Sequence, residues 1–213
     1  MHVVILNGPP GSGKDTLALE LTNFFNGNSK YLYFKEALYK ESHKWLGTEV
    51  ISFDKFLEVA ADEVEKEKPL FDIGIPFDVS SNEKDTGKTM WSARMVLQHV
   101  SENIIKPKFG NNYFGIRALE EIATLDAHGD HKVVFFSDGG FVDEINTIAN
   151  HYPTFVINLS RPGKSFEGDS RDYVYESNAD RHWPFCNDGT IDEAVYNLAN
   201  IISRQIGLSA MEQ

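Results

Sequence analysis

The sequence predicts an α/β fold: three layers, α/β/α, around a mostly parallel five-stranded sheet, with a helical insertion and a lid loop. Three observations predict it. Short apolar runs alternate with amphipathic helical stretches, the order that builds parallel sheets from strand–helix–strand units. The first run, Val3-Val4-Ile5-Leu6, opens into a glycine-rich stretch and then a helix with Leu17, Leu21 and Phe24 at helical spacing. A later run, Val133–Ser137, is almost wholly apolar, as a strand covered on both faces must be, and leads into Asp138.

The stretch after the first strand reads Asn7-Gly8-Pro9-Pro10-Gly11-Ser12-Gly13-Lys14-Asp15-Thr16. Gly8 and Gly13 bracket four residues and Lys14 follows, the spacing of a phosphate-binding (Walker A) loop in the strand-to-helix context it requires. Backbone N–H groups of such a loop wrap phosphate oxygens, and the helix N-terminus adds partial positive charge. Lys14 supplies a full charge that can follow a transferred phosphoryl group. Asp15 stands where the common motif has Ser or Thr for magnesium. Its carboxylate binds Mg²⁺ directly or through water, or accepts a proton; the plainer alternative is that it only favours the helix N-terminus.

Tyr31–Phe34 reads as the second strand, followed by Lys35, Glu36 and a helix through Trp45. Ligands of open parallel sheets sit beyond the C-terminal strand ends, so Lys35 and Glu36 are placed to meet an acceptor, or simply begin a solvated helix. Residues from about 47 to 90 read as an insertion, partly mobile. Phe53–Ala60 suggests a helix, Glu63–Lys68 its charged continuation, and Pro69 and Pro76 interrupt regularity before the polar stretch Ser80–Lys88. Ser92–Ile105 is helical, with Val96, Val100 and Ile104 on one face. Arg94 lies in its first turn, where a cation is disfavoured, and so points to a partner anion such as a substrate phosphate. Tyr113–Ala127 forms a further helix.

Asp138, at the end of a buried strand, fits the carboxylate that holds the Mg²⁺ shell, and Gly139-Gly140 allows a tight turn beside it. Phe155–Leu159, the fourth strand, leads to Arg161 and the polar loop Gly163–Arg171. This lid, about 161–180, would bring arginine to the phosphoryl group and exclude water. His182–Cys186 is an edge strand because Pro184 cannot donate to a ladder. Thr190-Ile191-Asp192-Glu193 is a capping box opening the last helix, Ile191–Ile206.

Composition narrows the classes. The net charge of −12 disfavours non-specific nucleic-acid binding. One cysteine excludes a disulfide framework and a cysteine zinc site. The seven histidines show no metal-ligand spacing, and His182 reads as structural. No apolar run reaches membrane-span length, no signal-peptide pattern opens the chain, and the cytosol is the expected compartment.

The loop Gly8–Thr16, Arg94, the segment at Asp138, the Arg161–Arg171 lid and Asn187-Asp188-Gly189-Thr190, in that order, resemble the P-loop nucleoside monophosphate kinase superfamily. The loop is close to that of adenylate kinases, with Asp15 in place of a glycine. Gly-Lys-Asp-Thr looks more like phage deoxynucleoside monophosphate kinases. The resemblance implies a P-loop kinase fold in a single domain, 1–213, with ATP and Mg²⁺ as cofactors and a deoxynucleotide as acceptor. It implies that Gly8, Gly11, Ser12, Gly13, Lys14, Asp15 and Thr16 bind ATP, and that Asp15 and Asp138 organise the metal. Arg161 and Arg171 would neutralise developing charge, and Lys35 and Arg94 would bind the acceptor. A phage origin would place the protein in the host cytoplasm.

The chain also departs from the pattern. Adenylate kinases carry an arginine in an Asp-Gly-Phe-Pro-Arg segment, and Ser137–Asp143 has none. A related phage enzyme phosphorylates the hydroxyl of 5-hydroxymethyluracil in DNA. That activity is a second expectation, with Asp15 or Glu36 as general base. A nucleotide-dependent switch is the third. The base and the oligomeric state are not read from the sequence.

Overall fold

The computed structural model describes residues 1–74, 90–139, 141–169 and 171–207. Pro76, the polar stretch Ser80–Lys88, Gly140 and Ser170 lie outside them. The elements run β1 (His2–Asn7), α1 (Lys14–Phe24), β2 (Ser29–Leu32), α2 (Lys35–Leu46), α3 (Phe53–Ala61), a 3-10 turn (Glu65–Glu67), β3 (Pro69–Asp72) and β4 (Met90–Ser92). They continue with α4 (Ala93–His99), a π-helical stretch (Val100–Ile105), α5 (Lys106–Phe109), α6 (Tyr113–His128), β5 (Val133–Phe136), α7 (Val142–Ala149), β6 (Thr154–Ser160), β7 (Arg181–Cys186) and α8 (Ile191–Ile206). The chain divides into two units, residues 1–34 with 114–213, and residues 35–113.

In the first unit the five strands lie in the order β2-β5-β1-β6-β7, and every pairing is parallel. Successive strand residues face opposite sides, and the sequence supplies apolar residues to both. Val4, Leu6, Phe135, Ile157 and Leu159 pack with Leu17 and Leu21 of α1 and Leu198 and Ile202 of α8. Val3, Ile5, Val134, Phe136 and Val156 pack with Ala118 and Ile122 of α6 and Ile145 and Ile148 of α7. Each fully buried side chain of this size contributes about 1.5–3 kcal/mol, which makes β1 and β5 the stiff centre of an α/β/α sandwich. The parallel register sets Ile5 beside Phe136 and Asn7 beside Asn158, so the loops after β1, β5 and β6 emerge together. β7, with Pro184, is an edge strand as expected.

β2 ends at Leu32, earlier than the expected Tyr31–Phe34 strand. Phe34 leaves the ladder because its N–H donates to Asp138 Oδ1 at 3.0 Å, while its ring packs 4.5 Å from Phe136.

The second unit is wider in the chain than the expected 47–90 insertion. Its core holds Phe56, Trp91, Val96 and Val100, with Trp45 stacked 5.6 Å from Trp91. The charged stretch Glu63–Lys68 does not continue α3. Asp62 Oδ1 accepts from the N–H groups of Val64 and Glu65, both at 2.8 Å, and starts the 3-10 turn instead. β3 and β4 pair antiparallel, a hairpin that the sequence pattern did not announce. In the helix after Ser92, Ile105 rather than Ile104 joins Val96 and Val100 in the core. The π-helical stretch explains the shift, because its wider turn moves the buried position on by one residue. No described helix is long and apolar enough to cross a membrane.

Candidate active site

Asn7, the last residue of β1, ties together three segments at the C-terminal end of the sheet. Its side chain is 1% exposed. The amide donates to the carbonyls of Gly139 at 3.0 Å and Asp172 at 3.2 Å, and its oxygen accepts from Val174 N–H at 2.9 Å. One residue thus ties β1 to the turn after β5 and to the lid. The sequence reading missed it; an asparagine ending an apolar strand, directly before a glycine loop, is the signal that could have found it.

The loop itself requires its glycines. A β-carbon on Gly8 would lie 2.5 Å from the Leu159 carbonyl, so only glycine lets the loop pass β6. Gly13 caps α1 in the left-handed region, φ 92°, without any side-chain bond. Ser12 N–H donates to Pro9 O at 3.1 Å, and Lys14 Nζ donates to the same carbonyl at 3.3 Å. From the far end of the chain, Asn187 Nδ2 donates to Ser12 O at 2.9 Å. Within this ring of bonds the Ser12 hydroxyl is fully buried and has no hydrogen-bond partner among the described residues. An orphan buried hydroxyl costs about 1–3 kcal/mol; this one lies under the loop against Gly8, whose β-carbon would stand 2.8 Å from it, while the loop's N–H groups and the start of α1 remain the anion-binding elements.

Charges of both signs surround the loop. Ser137 Oγ donates to Asp15 Oδ1 at 2.6 Å, and the Tyr31 hydroxyl stands 2.5 Å from Ser137 Oγ and 3.4 Å from Asp15 Oδ1. Burial pushes the Tyr31 hydroxyl well above its ordinary value, so it remains a protonated donor. Arg171 holds Asp169 through two bonds, Nε to Oδ1 at 2.9 Å and Nη2 to Oδ2 at 2.7 Å, and its charge is felt by Asp138 and Asp15. The Arg171 side chain, aided by its backbone N–H and by the charge of Lys14, keeps Asp169 below the usual carboxylate range against the opposing effect of burial. Two further lid cations reach the loop. A β-carbon on Gly11 would sit 3.3 Å from Lys164 Nζ, and one on Gly13 would sit 3.9 Å from Arg161 Nη1.

The fold therefore brings together Gly8, Gly11, Ser12, Gly13, Lys14, Asp15, Asp138, Arg161 and Arg171. Thr16 is exposed on the first turn of α1. Lys164, Asp169, Asn187, Ser137 and Tyr31 belong to the same site, and sequence spacing did not single them out. Lys35, Glu36 and Arg94 belong to the unit 35–113. There Glu36 pairs with Lys40 at 2.6 Å, and Arg94 pairs with Glu67, which supplies an anion to the cation at that helix start. Lys66, and then Arg94 and Lys35, hold Glu63 below its ordinary value. His182 bonds Val174 O at 3.1 Å and Ser177 Oγ at 3.0 Å, a structural role.

Among the described residues no group of three or more His, Cys, Asp or Glu side chains could hold a metal ion. Asp15 and Asp138 make two carboxylates beside one loop. That donor set suits Mg²⁺, which is held by one or two carboxylates while phosphates and water complete its shell.

No protein-family model matches the chain. No curated protein matches it. Two solved structures resemble it over nearly their whole length. One is an unliganded sugar kinase from Janibacter sp. HTCC2649, 13% identical, covering 100% of this chain and 98% of the other at a TM-score of 0.43. The other is dephospho-CoA kinase from Campylobacter jejuni, 16% identical, covering 96% and 99% at a TM-score of 0.43.

Proposed function

We propose that this protein is an ATP-dependent phosphotransferase that moves the γ-phosphoryl group to a deoxynucleotide, in the manner of a deoxynucleoside monophosphate kinase. The observation that carries it is the glycine loop between β1 and α1, which only glycine fits at Gly8 and Gly13, with Lys14, Arg161 and Lys164 beside it. Bound ATP and Mg²⁺ supply the phosphoryl group and shield its charge.

The loop N–H groups and Lys14, whose Nζ now donates to Pro9 O, would hold the phosphates. Asp15 and Asp138 would hold the metal. Arg161 neutralises charge on the transferred group, and Arg171 does so after trading part of its pairing with Asp169. Asn7 and Asn187 keep the loop open for the ligand. Positioning and electrostatics are what phosphoryl transfer asks of a protein. Lys35 and Arg94 are the acceptor-binding residues on their sequence positions.

A second reading, transfer to a hydroxymethyl group on DNA, is favoured by the missing arginine in Ser137–Asp143. Transfer of labelled γ-phosphate from ATP to each deoxynucleoside monophosphate and to DNA containing 5-hydroxymethyluracil tests both. Lys14→Ala is expected to cut turnover about 10²-fold or more. Full turnover in that variant overturns the proposal. A raised acceptor KM in Arg94→Ala supports the monophosphate, whereas a strong kcat loss in Glu36→Gln supports the hydroxyl acceptor.

A further inference from the structure

We infer that Ser137 and Tyr31 are positioning residues that hold the Asp15 carboxylate by one oxygen, so that its other oxygen is presented to the divalent cation accompanying the nucleotide. This rests on the phosphotransferase reading above. Three residues from three separate elements meet here: Asp15 on the first turn of α1, Tyr31 on β2, and Ser137 directly after β5.

The direction of the chain of bonds follows from proton count. Ser137 has one hydroxyl proton, and Asp15, an acceptor only, takes it at 2.6 Å. Tyr31, 2.5 Å from Ser137 Oγ, must then be the donor to serine, and it leans on the same Asp15 Oδ1 at 3.4 Å. Ser137 alone donates to Oδ1, with Tyr31 behind it as donor to the serine, and Oδ2 has no hydrogen-bond donor among the described residues. A carboxylate on an exposed first turn would otherwise sample several rotamers. The network selects one, and it is anchored in the core, because Ser137 is fully buried.

Asp15 replaces the hydroxyl that usually follows the loop lysine, and a carboxylate is longer and freer than serine. Ser137 and Tyr31 compensate by locking it. Outer partners of metal ligands typically carry about 10–100-fold in metal affinity or activity. Ser137→Ala and Tyr31→Phe should therefore raise the Mn²⁺ concentration for half-saturation with a non-hydrolysable ATP analogue by about 10-fold or more, read by electron paramagnetic resonance. Analogue affinity without metal should stay within about twofold, since the loop bonds are untouched, and Ser137→Thr should restore the Mn²⁺ value. Combined, the two substitutions should cost less than the product of the single effects, because they act through one oxygen.

An unchanged Mn²⁺ half-saturation in folded Ser137→Ala and Tyr31→Phe, judged by unaltered melting, overturns the inference while Lys14→Ala still abolishes transfer. Full transfer in Lys14→Ala overturns the underlying reading instead.

Discussion

Asn187 donates its side-chain amide to the carbonyl of Ser12 at 2.9 Å, joining the loop after β7 to the glycine loop after β1. Asn187 is 6% exposed, so the bond is dry on the protein side. Asn187→Ala leaves a buried carbonyl unpaired, which costs about 1–3 kcal/mol. The expected outcome is a lower melting temperature and a higher KM for ATP with kcat changed less, measured by calorimetry and steady-state kinetics. A melting temperature and KM equal to wild type would show that the bond does not hold the loop.

Gly13→Ala tests the loop conformation directly. At φ 92° an L-residue is strained, and its β-carbon would stand 2.6 Å from the same Asn187 amide. The strain alone is about 1–2 kcal/mol. Nucleotide binding should fall more than stability, because the displaced Asn187 and Ser12 reshape the anion cradle. Binding of an ATP analogue by titration calorimetry, set against urea unfolding, checks the split.

The Asp169–Arg171 pair makes stability depend on pH. Asp169 titrates below its unfolded value of 3.8, chiefly through the Arg171 hydrogen bonds, so the unfolded chain binds the proton first. The pair's contribution is complete above the ordinary carboxylate range and is lost as pH falls through the lowered folded value. Urea midpoints measured from about pH 6 down to about pH 3 should decline less steeply in Asp169→Asn than in wild type. Parallel declines would remove this pair from the acid response.

His99, in the unit 35–113, gives the same sign of pH dependence from a different cause, burial of its ring. Its ring lies 5.0 Å from both Trp45 and Trp91, and Asn103 Nδ2 donates to its Nδ1 at 3.0 Å, a bond that needs a neutral ring nitrogen. Burial lowers its titration below 6.5. The folded state therefore resists the proton, and its stability falls as pH drops from 6.5 towards the lowered value. Tryptophan fluorescence should show a quenching step with a midpoint below 6.5 that disappears in His99→Gln. A midpoint at or above 6.5 would contradict the burial.

The glycine loop was legible because all its requirements are local. Gly8, Gly11, Ser12, Gly13 and Lys14 are neighbours in sequence, and the strand before and helix after them show in the spacing of apolar residues. The same holds for β5, for the edge strand with Pro184, and for the capping box at Thr190, whose hydroxyl accepts from Glu193 N–H at 3.3 Å. Where a turn changes the period, spacing misleads. Ile104 gives way to Ile105 because the helix there is π, and Glu63–Lys68 turns away because Asp62 captures the backbone.

The sequence by itself determined a mostly parallel five-stranded sheet between helices and a loop with the chemistry to hold phosphate, since apolar periodicity and backbone geometry are properties of adjacent residues; the order of the strands in the sheet, the helix Val142–Ala149 and the β3–β4 pair came only from the structure. Only the tertiary structure decided which polar side chains serve that loop. Asn7 to Val174, Ser137 to Asp15 and Asn187 to Ser12 are bonds between residues more than 100 positions apart. No period encodes such pairs. They exist because parallel strands bring their C-terminal ends together, where a buried polar group must find a partner or leave one for a ligand.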